Sequence, residues 1–246
     1  VLEGPDLVIA AVQAGASLEA VYFDPKATAP DSTCATALSV AAAAGVRLIE
    51  LAPGVLTKVA EAVTPQPVLA VCSFPDTDLL AIPRDGFVLV LVDIRDPGNL
   101  GTAIRAADAA AAAGIVVCGQ SADVFNPKTL RATAGSVFHL PIAIAGTLGD
   151  VTTSLGATGR RFYGAVVRGG ADAWATPISH NAAVVIGSEA MGLSDAQLSL
   201  LDGTVTITME GRAESLNAGV AAALLCFESL RQRRMAAGTD GPRPTI

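Results

Sequence analysis

The sequence is poor in the residues that build disulfide, metal and redox chemistry. Its four cysteines, Cys34, Cys72, Cys118 and Cys226, are widely separated and mostly in apolar surroundings. That argues against a disulfide framework and for buried thiols in a reducing compartment. Only two histidines, His139 and His180, are present, and no Cys/His spacing fits a zinc site, so no metal is expected. Aromatic residues make up 4%, which disfavours an aromatic-rich binding surface. Positive charge is scarce, with 16 Lys and Arg against 23 Asp and Glu. The net charge of −7 argues against general affinity for nucleic acid, which is mainly electrostatic. No apolar run approaches the ~20 residues of a membrane-spanning helix. No signal peptide is visible from Val1 onward, and a cytoplasmic location without membrane attachment is expected.

Alanine and valine dominate the hydrophobic half of the chain, favouring tightly packed helices and sheet. Residues 1–75 alternate helix and strand patterns: helix Pro5–Gln13, strand Leu18–Phe23, helix Thr33–Ala44, strand Val46–Leu51, helix Pro53–Val63 and strand Val68–Phe74. The Pro, Asp and Gly content of residues 76–86 reads as a linker. A second unit opens with the near-continuous apolar run Phe87–Ile94, which suits a strand buried on both faces. Helix 99–113, strand Ile115–Cys118, a short helix near Pro127–Ala134, strand Val137–Ala143, helix Leu148–Leu155 and strand Phe162–Val167 follow. Strands Ala183–Ile186 and Val205–Met209 precede a long helix, Ser215–Ala236, and residues 237–246 read as a disordered tail. Alternating strands and helices predict an α/β fold with a mostly parallel sheet.

Charge divides unevenly. Residues 1–80 carry only Lys26, Arg47 and Lys58 against nine acidic side chains, whereas the remainder is nearly balanced. A polyanion would therefore dock on a local patch of the later part.

Three polar segments follow apolar runs: DIRDPGNLGTAIRAAD (93–108), IGSEAMGLS (186–194) and ITMEGRAESLNAG (207–219). In open α/β sheets ligands bind at the carboxyl edge, where strands hand over to helices. Gly98 and Gly101 form GxxG rather than a dinucleotide GxGxxG, and no P-loop lysine follows. They permit a tight turn or approach a phosphate. Arg105, nearly two helical turns beyond Asn99, is either a solvated helix residue or one that leans toward a phosphate. Glu189 beside Gly187 could cap a helix, pair with an arginine or contact a ligand. Ser215 and Asn217 at the mouth of the last helix are good caps, and the free N–H groups there also suit polar ligand atoms. The basic run Arg231, Arg233 and Arg234 reads as a solvated helix end or a second anion patch.

Taken together, the three segments resemble the ordered motifs of the SpoU (TrmH) family of RNA ribose methyltransferases, within the SPOUT superfamily. DPGNLGTAIRAAD matches the first, IGSEAMGLS the second and ITMEGRAESLNAG the third, and Asn126–Pro141 looks like the segment between the first two. Thr208 stands where the third motif commonly has proline, and Ser188 and Ala190 flank Glu189 where asparagine and glycine are frequent. The resemblance spans about residues 87–236, and residues 1–75 look like the L30e-like substrate-binding domain that often precedes it.

The resemblance implies a C-terminal trefoil knot, a homodimer, and methyl transfer from S-adenosylmethionine to a ribose 2′-hydroxyl. Ribosomal RNA is the preferred substrate, with transfer RNA, or a non-catalytic RNA-binding or assembly role, as alternatives. It implies acceptor-side and catalytic roles for Arg105, Asn99, Glu189, Ser215 and Asn217, with Glu189 fixing Asn99 or Arg105 and with Ser215 and Asn217 shaping the loop and cofactor face. Gly187, Ile207, Met209, Leu216 and Val166 are the implied cofactor contacts. A guanidinium is a poor general base, so Arg105 is expected to hold the acceptor phosphate and steady developing negative charge. Lys128, Arg131, Arg160, Arg161 and Arg168 are the expected source of RNA attraction.

Overall fold

The computed structural model describes residues 1–26, 28–59, 66–73 and 75–238. Contacts divide the chain into two units. One comprises Val1–Pro75 with Val124–His139, the other Asp76–Asp123 with Leu140–Ile246.

The first unit opens with β1 (Leu2–Glu3), α1 (Pro5–Gln13), β2 (Leu18–Phe23), α2 (Thr33–Ala43), β3 (Arg47–Glu50), α3 (Leu56–Val59) and β4 (Val68–Cys72). Its four-stranded sheet has the order β1-β4-β2-β3, with β4 antiparallel to both neighbours and β2 parallel to β3. Proline begins α1, where its missing N–H costs no hydrogen bond, and the Ser32 side chain accepts from Ala35 N–H to start α2. The expected helix over 53–63 is seen as Leu56–Val59, and residues 60–63 lie outside the described residues. So do Phe74, at the end of the expected strand Val68–Phe74, and residues 239–246 of the expected tail.

The second unit contains β5 (Val88–Val92), α4 (Pro97–Ala109) and β6 (Gly114–Cys118) before the chain returns to the first unit through α5 (Pro127–Thr133). There Arg131 reaches Glu3 at 2.7 Å. Gly135, at φ +94°, comes so close to α1 that a Cβ would stand 2.6 Å from the Ala10 methyl. Residues 124–139 thus group with the N-terminal unit, whereas a continuous unit over 87–236 was expected. Residues 76–86, read as a linker, group with the second unit.

The second unit then resumes with β7 (Ile142–Ala145), α6 (Leu148–Gly156), β8 (Arg161–Ala165), β9 (Ala171–Asp172), β10 (Ala182–Ile186), α7 (Asp195–Leu198), β11 (Gly203–Thr206) and α8 (Ala218–Ala236). The seven strands run in the order β7-β6-β5-β10-β8-β11-β9, and every pairing is parallel. Every residue of β5, β6 and β10 is buried, as a sheet covered on both faces requires. Val88, Val90, Val116 and Val185 meet Leu148, Val151 and Leu155 of α6 on one face. Leu89, Leu91 and Ile115 point the other way by the period of two, where α4 and α8 pack on each other and touch β6 and β10.

Two expected elements begin elsewhere. Val137–Ala143 is not a strand: Ser136–Phe138 is a 3-10 turn, and β7 starts only after Pro141, which has no N–H to give a ladder. The last helix starts at Ala218 rather than Ser215, because Asn217 accepts the N–H groups of Gly219 and Val220 and so sets the first turn there. The expected strand Val205–Met209 ends at Thr206, leaving residues 207–217 out of the sheet.

Candidate active site

Sheet order reverses between β5 and β10, and such a switch point leaves a crevice at the carboxyl ends. Here the ends of β8, β10 and β11 and the start of α8 surround a cavity of about 620 Å³. That falls within the ~300–1,000 Å³ usual for small-molecule sites. All five expected cofactor contacts, Val166, Gly187, Ile207, Met209 and Leu216, line it, as do Asn99, Glu189, Ser215 and Asn217. The walls also include Ala165, Val167, Ile186, Leu193, Val205, Ala218 and Ala221, which carry no polar signature in sequence. Their only signal is position at a strand end or a helix start.

The loop after β10 is folded back on itself. Ser188 and Gly192 exchange backbone hydrogen bonds of 2.9 and 3.1 Å, with Gly192 at φ +65°. A Cβ on Gly187 would collide with the Gly192 backbone and stand 2.6 Å from Leu193 N, so only glycine fits. This small loop presents Glu189, with Met191 86% exposed beside it.

A polar relay joins the three loops. Asn217 spends its Oδ1 on capping α8, so its Nδ2 is the end that donates to Asn99 Oδ1, at 2.8 Å. Asn99 therefore donates from its own Nδ2 to Glu189 Oε1, at 2.9 Å. Both amide orientations thus follow from the helix cap. Partial burial pushes the Glu189 carboxyl up, but the Asn99 amide and the backbone N–H groups of Glu189, Arg95 and Asp96 outweigh it and hold the group below the ordinary glutamate value. Of the partners considered for Glu189, the structure selects Asn99. Ser215 lines the cavity but does not cap the helix.

The basic residues separate into different roles. Arg105 is exposed on α4, outside the cavity lining. Arg161 is exposed, with its guanidinium 5.7 Å from the Tyr163 ring centre, and Arg168 is exposed just beyond the cavity-lining Val167. Lys128 is exposed on α5, and Arg131 is tied to Glu3. Arg160 corrects the expectation of an RNA contact. It is 3% exposed and donates to the carbonyls of Pro83 (2.6 Å), Arg84 (2.9 Å) and Gly86, so it has no face to offer a phosphate. Burial pushes its pKa down, with Asp85 opposing. At the end of α8, Arg231 pairs with Glu228 at 2.7 Å, and Arg233 donates to the Ala110 and Ala111 carbonyls.

Among the described residues no His/Cys/Asp/Glu group could hold a metal ion, and no helix is long and apolar enough to cross a membrane.

Comparison with known proteins gives this geometry its context. The chain is 38% identical over 183 residues to a 23S rRNA (guanosine(2553)-2′-O)-methyltransferase of Bacillus subtilis (strain 168), covering 74% of this chain and 72% of that one. It is 39% identical over 195 residues to a 23S rRNA (uridine(2479)-2′-O)-methyltransferase of Streptomyces viridochromogenes, covering 75% and 67%. The crystal structure of the SpoU methyltransferase AviRb from Streptomyces viridochromogenes, in complex with AdoMet, superposes with a TM-score of 0.83 at 32% identity, covering 95% of this chain and 90% of that one. Residues 1–77 match the RNA 2′-O ribose methyltransferase substrate-binding family. Residues 86–227 match the SpoU rRNA Methylase family, and the chain belongs to it.

Proposed function

We propose that this chain methylates a ribose 2′-hydroxyl of 23S ribosomal RNA, in the cytoplasm, with S-adenosylmethionine as donor. The observation that carries the reading is the convergence of three distant segments on one cavity, with Asn99, Glu189 and Asn217 bonded in series at its edge. The cavity suits that donor. Val166, Ile207, Met209 and Leu216 offer an apolar wall for an adenosine, and the strand ends and Gly187 leave backbone polar groups beside it. When bound, S-adenosylmethionine supplies a methyl group on a positively charged sulfur.

The protein's part is positioning and charge. Glu189, held ionised by its four donors, places a fixed negative charge at the cavity edge and anchors the Asn99 amide. Asn99 keeps one amide hydrogen and one lone pair beyond those used in the relay, enough to orient an incoming hydroxyl. Arg105 holds the acceptor phosphate with its guanidinium and steadies the negative charge that develops on the attacking oxygen. Ser215 shapes the wall on the α8 side. Lys128, Arg131, Arg161 and Arg168 attract RNA, and residues 1–77 supply substrate contacts. The active form is a homodimer, and the C-terminal chain is knotted. Supporting the knot, the last strand, β11, lies between β8 and β9, which are consecutive in sequence.

The test is transfer of isotope-labelled methyl from S-adenosylmethionine to 23S rRNA, with the site mapped by resistance of the modified ribose to alkaline cleavage. One 2′-O-methylated nucleotide in 23S rRNA is expected, and Arg105→Ala should abolish turnover while leaving donor affinity intact. Labelling of transfer RNA alone, or of a base rather than a ribose, would overturn the reading.

A further inference from the structure

The Glu189 loop is held at its tip by Asn99, but its far foot is pinned by two residues that line no part of the cavity. Gln197 belongs to a reciprocal cap with Ser194: Ser194 Oγ accepts Gln197 N–H at 3.2 Å, and Gln197 Oε1 accepts Ser194 N–H at 2.8 Å. With its oxygen committed, Gln197 turns its Nε2 to Asp93 Oδ2, at 3.2 Å. Asp93 stands at the end of β5 in the left-handed region, at φ +58°, and its other oxygen accepts Gln120 N–H at 2.7 Å. The chain that leaves Asp93 runs directly into Arg95 and Asp96, whose backbone N–H groups face the Glu189 carboxylate.

We infer that Asp93 and Gln197 are a positioning pair, which locks the Glu189 loop to the entrance of α4 and so sets the carboxylate against its donors. The foot and the tip of the loop lie on one rigid path. Gln197 holds Ser194, Leu193 is packed into the core, and the Gly187 backbone is in contact with Gly192 and Leu193. A shift at the foot has no slack to absorb it before Glu189. The effect of the pair on turnover rests on the methyl-donor reading of the cavity; the brace itself does not.

The polarity of the pair makes it testable in the whole chain. In Gln197→Glu two carboxylates oppose each other. In Asp93→Asn, Gln197 faces an amide donor and cannot turn over without losing Ser194. The backbone tolerates that change, because asparagine accepts the left-handed region well. The double variant D93N/Q197E restores the bond with donor and acceptor exchanged, at unchanged total charge. Each single variant should lower kcat about tenfold to a hundredfold at unchanged KM for RNA. Each should also speed hydrogen exchange at the 188 and 192 amides, measured without any ligand. The double variant should return both quantities to within about threefold of the parent. Singles that match the parent, or singles that fail with no recovery in the double, overturn the pairing. If the parent neither binds S-adenosylmethionine nor methylates RNA, the proposed function falls, and the exchange data alone then decide the brace.

Discussion

The two ends of α8 use polar side chains in opposite ways. At the start, Asn217 caps the helix with its oxygen and donates one amide hydrogen to Asn99, which donates its own to Glu189. Neutral groups there hold one carboxylate at a cavity edge. At the finish, Arg233 is spent on the carbonyls that close α4, and Gln232 donates to Thr176 O at 2.9 Å and accepts from Ile178 N–H at 3.0 Å. Glu228, with its side chain 2% exposed, takes Arg231 and Gln232 together. The amide end thus faces the cavity, and the arginine end is spent on mechanical attachment. Arginines clustered in sequence are therefore a poor guide to where RNA meets this chain. Arg160 repeats the lesson beside Arg161: neighbours in sequence, one locked onto three carbonyls and one exposed.

The contrast can be broken most sharply at Asn99. Asn99→Ala cuts both links of the relay and should lower kcat by about a hundredfold, with thermal stability nearly unchanged. A stability loss that accounts for the whole activity loss would erase the distinction between the two ends. Asn217→Ala removes a cap and a link at once. It should cost about 1–2 kcal/mol in denaturant unfolding and roughly tenfold in turnover. At the other end Arg233→Met should cost about 1 kcal/mol of stability while the salt dependence of RNA binding keeps its slope. A flatter slope would return Arg233 to the RNA surface. The smallest effect is on pH. Because the folded value of Glu189 is depressed, its stabilising contribution is complete above the unfolded value of about 4.3 and is lost only as pH falls through the lower folded value. Donor affinity followed down to pH 4.5 should therefore hold steady. A decline already centred above that point would show that Glu189 is not held ionised by its donors.

The alternation of strands and helices was legible because buried parallel strands are almost purely apolar, as Val88–Val92 and Ala182–Ile186 are. What failed was local. Pro141 forbids the ladder that the apolar pattern around Val137 invited, and Asn217 outcompetes Ser215 as the start of α8. The cavity's polar residues were legible as a set only through the resemblance of their three segments to one family's ordered motifs; singly, each read equally well as a cap, a turn or a solvated side chain. The link of Asn99 to Glu189 joins residues 90 positions apart, so no local spacing points to it; the resemblance offered Asn99 or Arg105, and strand order decides for Asn99. Burial of Arg160 was not legible either. Nothing in the dipeptide of Arg160 and Arg161 says which guanidinium faces inward, since that depends on the carbonyls 83, 84 and 86 that fold beneath it.

The place of β11 between β8 and β9 has a consequence for how the protein is made. A nascent chain emerges from the ribosome in order, so β8 and β9 are complete well before residues 203–206 exist. Until then β9 has no strand to pair with and the β8 edge that β11 covers stands open, with unpaired N–H and C=O groups along it. Val205 and Ile207, which enter with the missing strand, are also cavity walls. Any product truncated before that point carries an open sheet and no complete pocket.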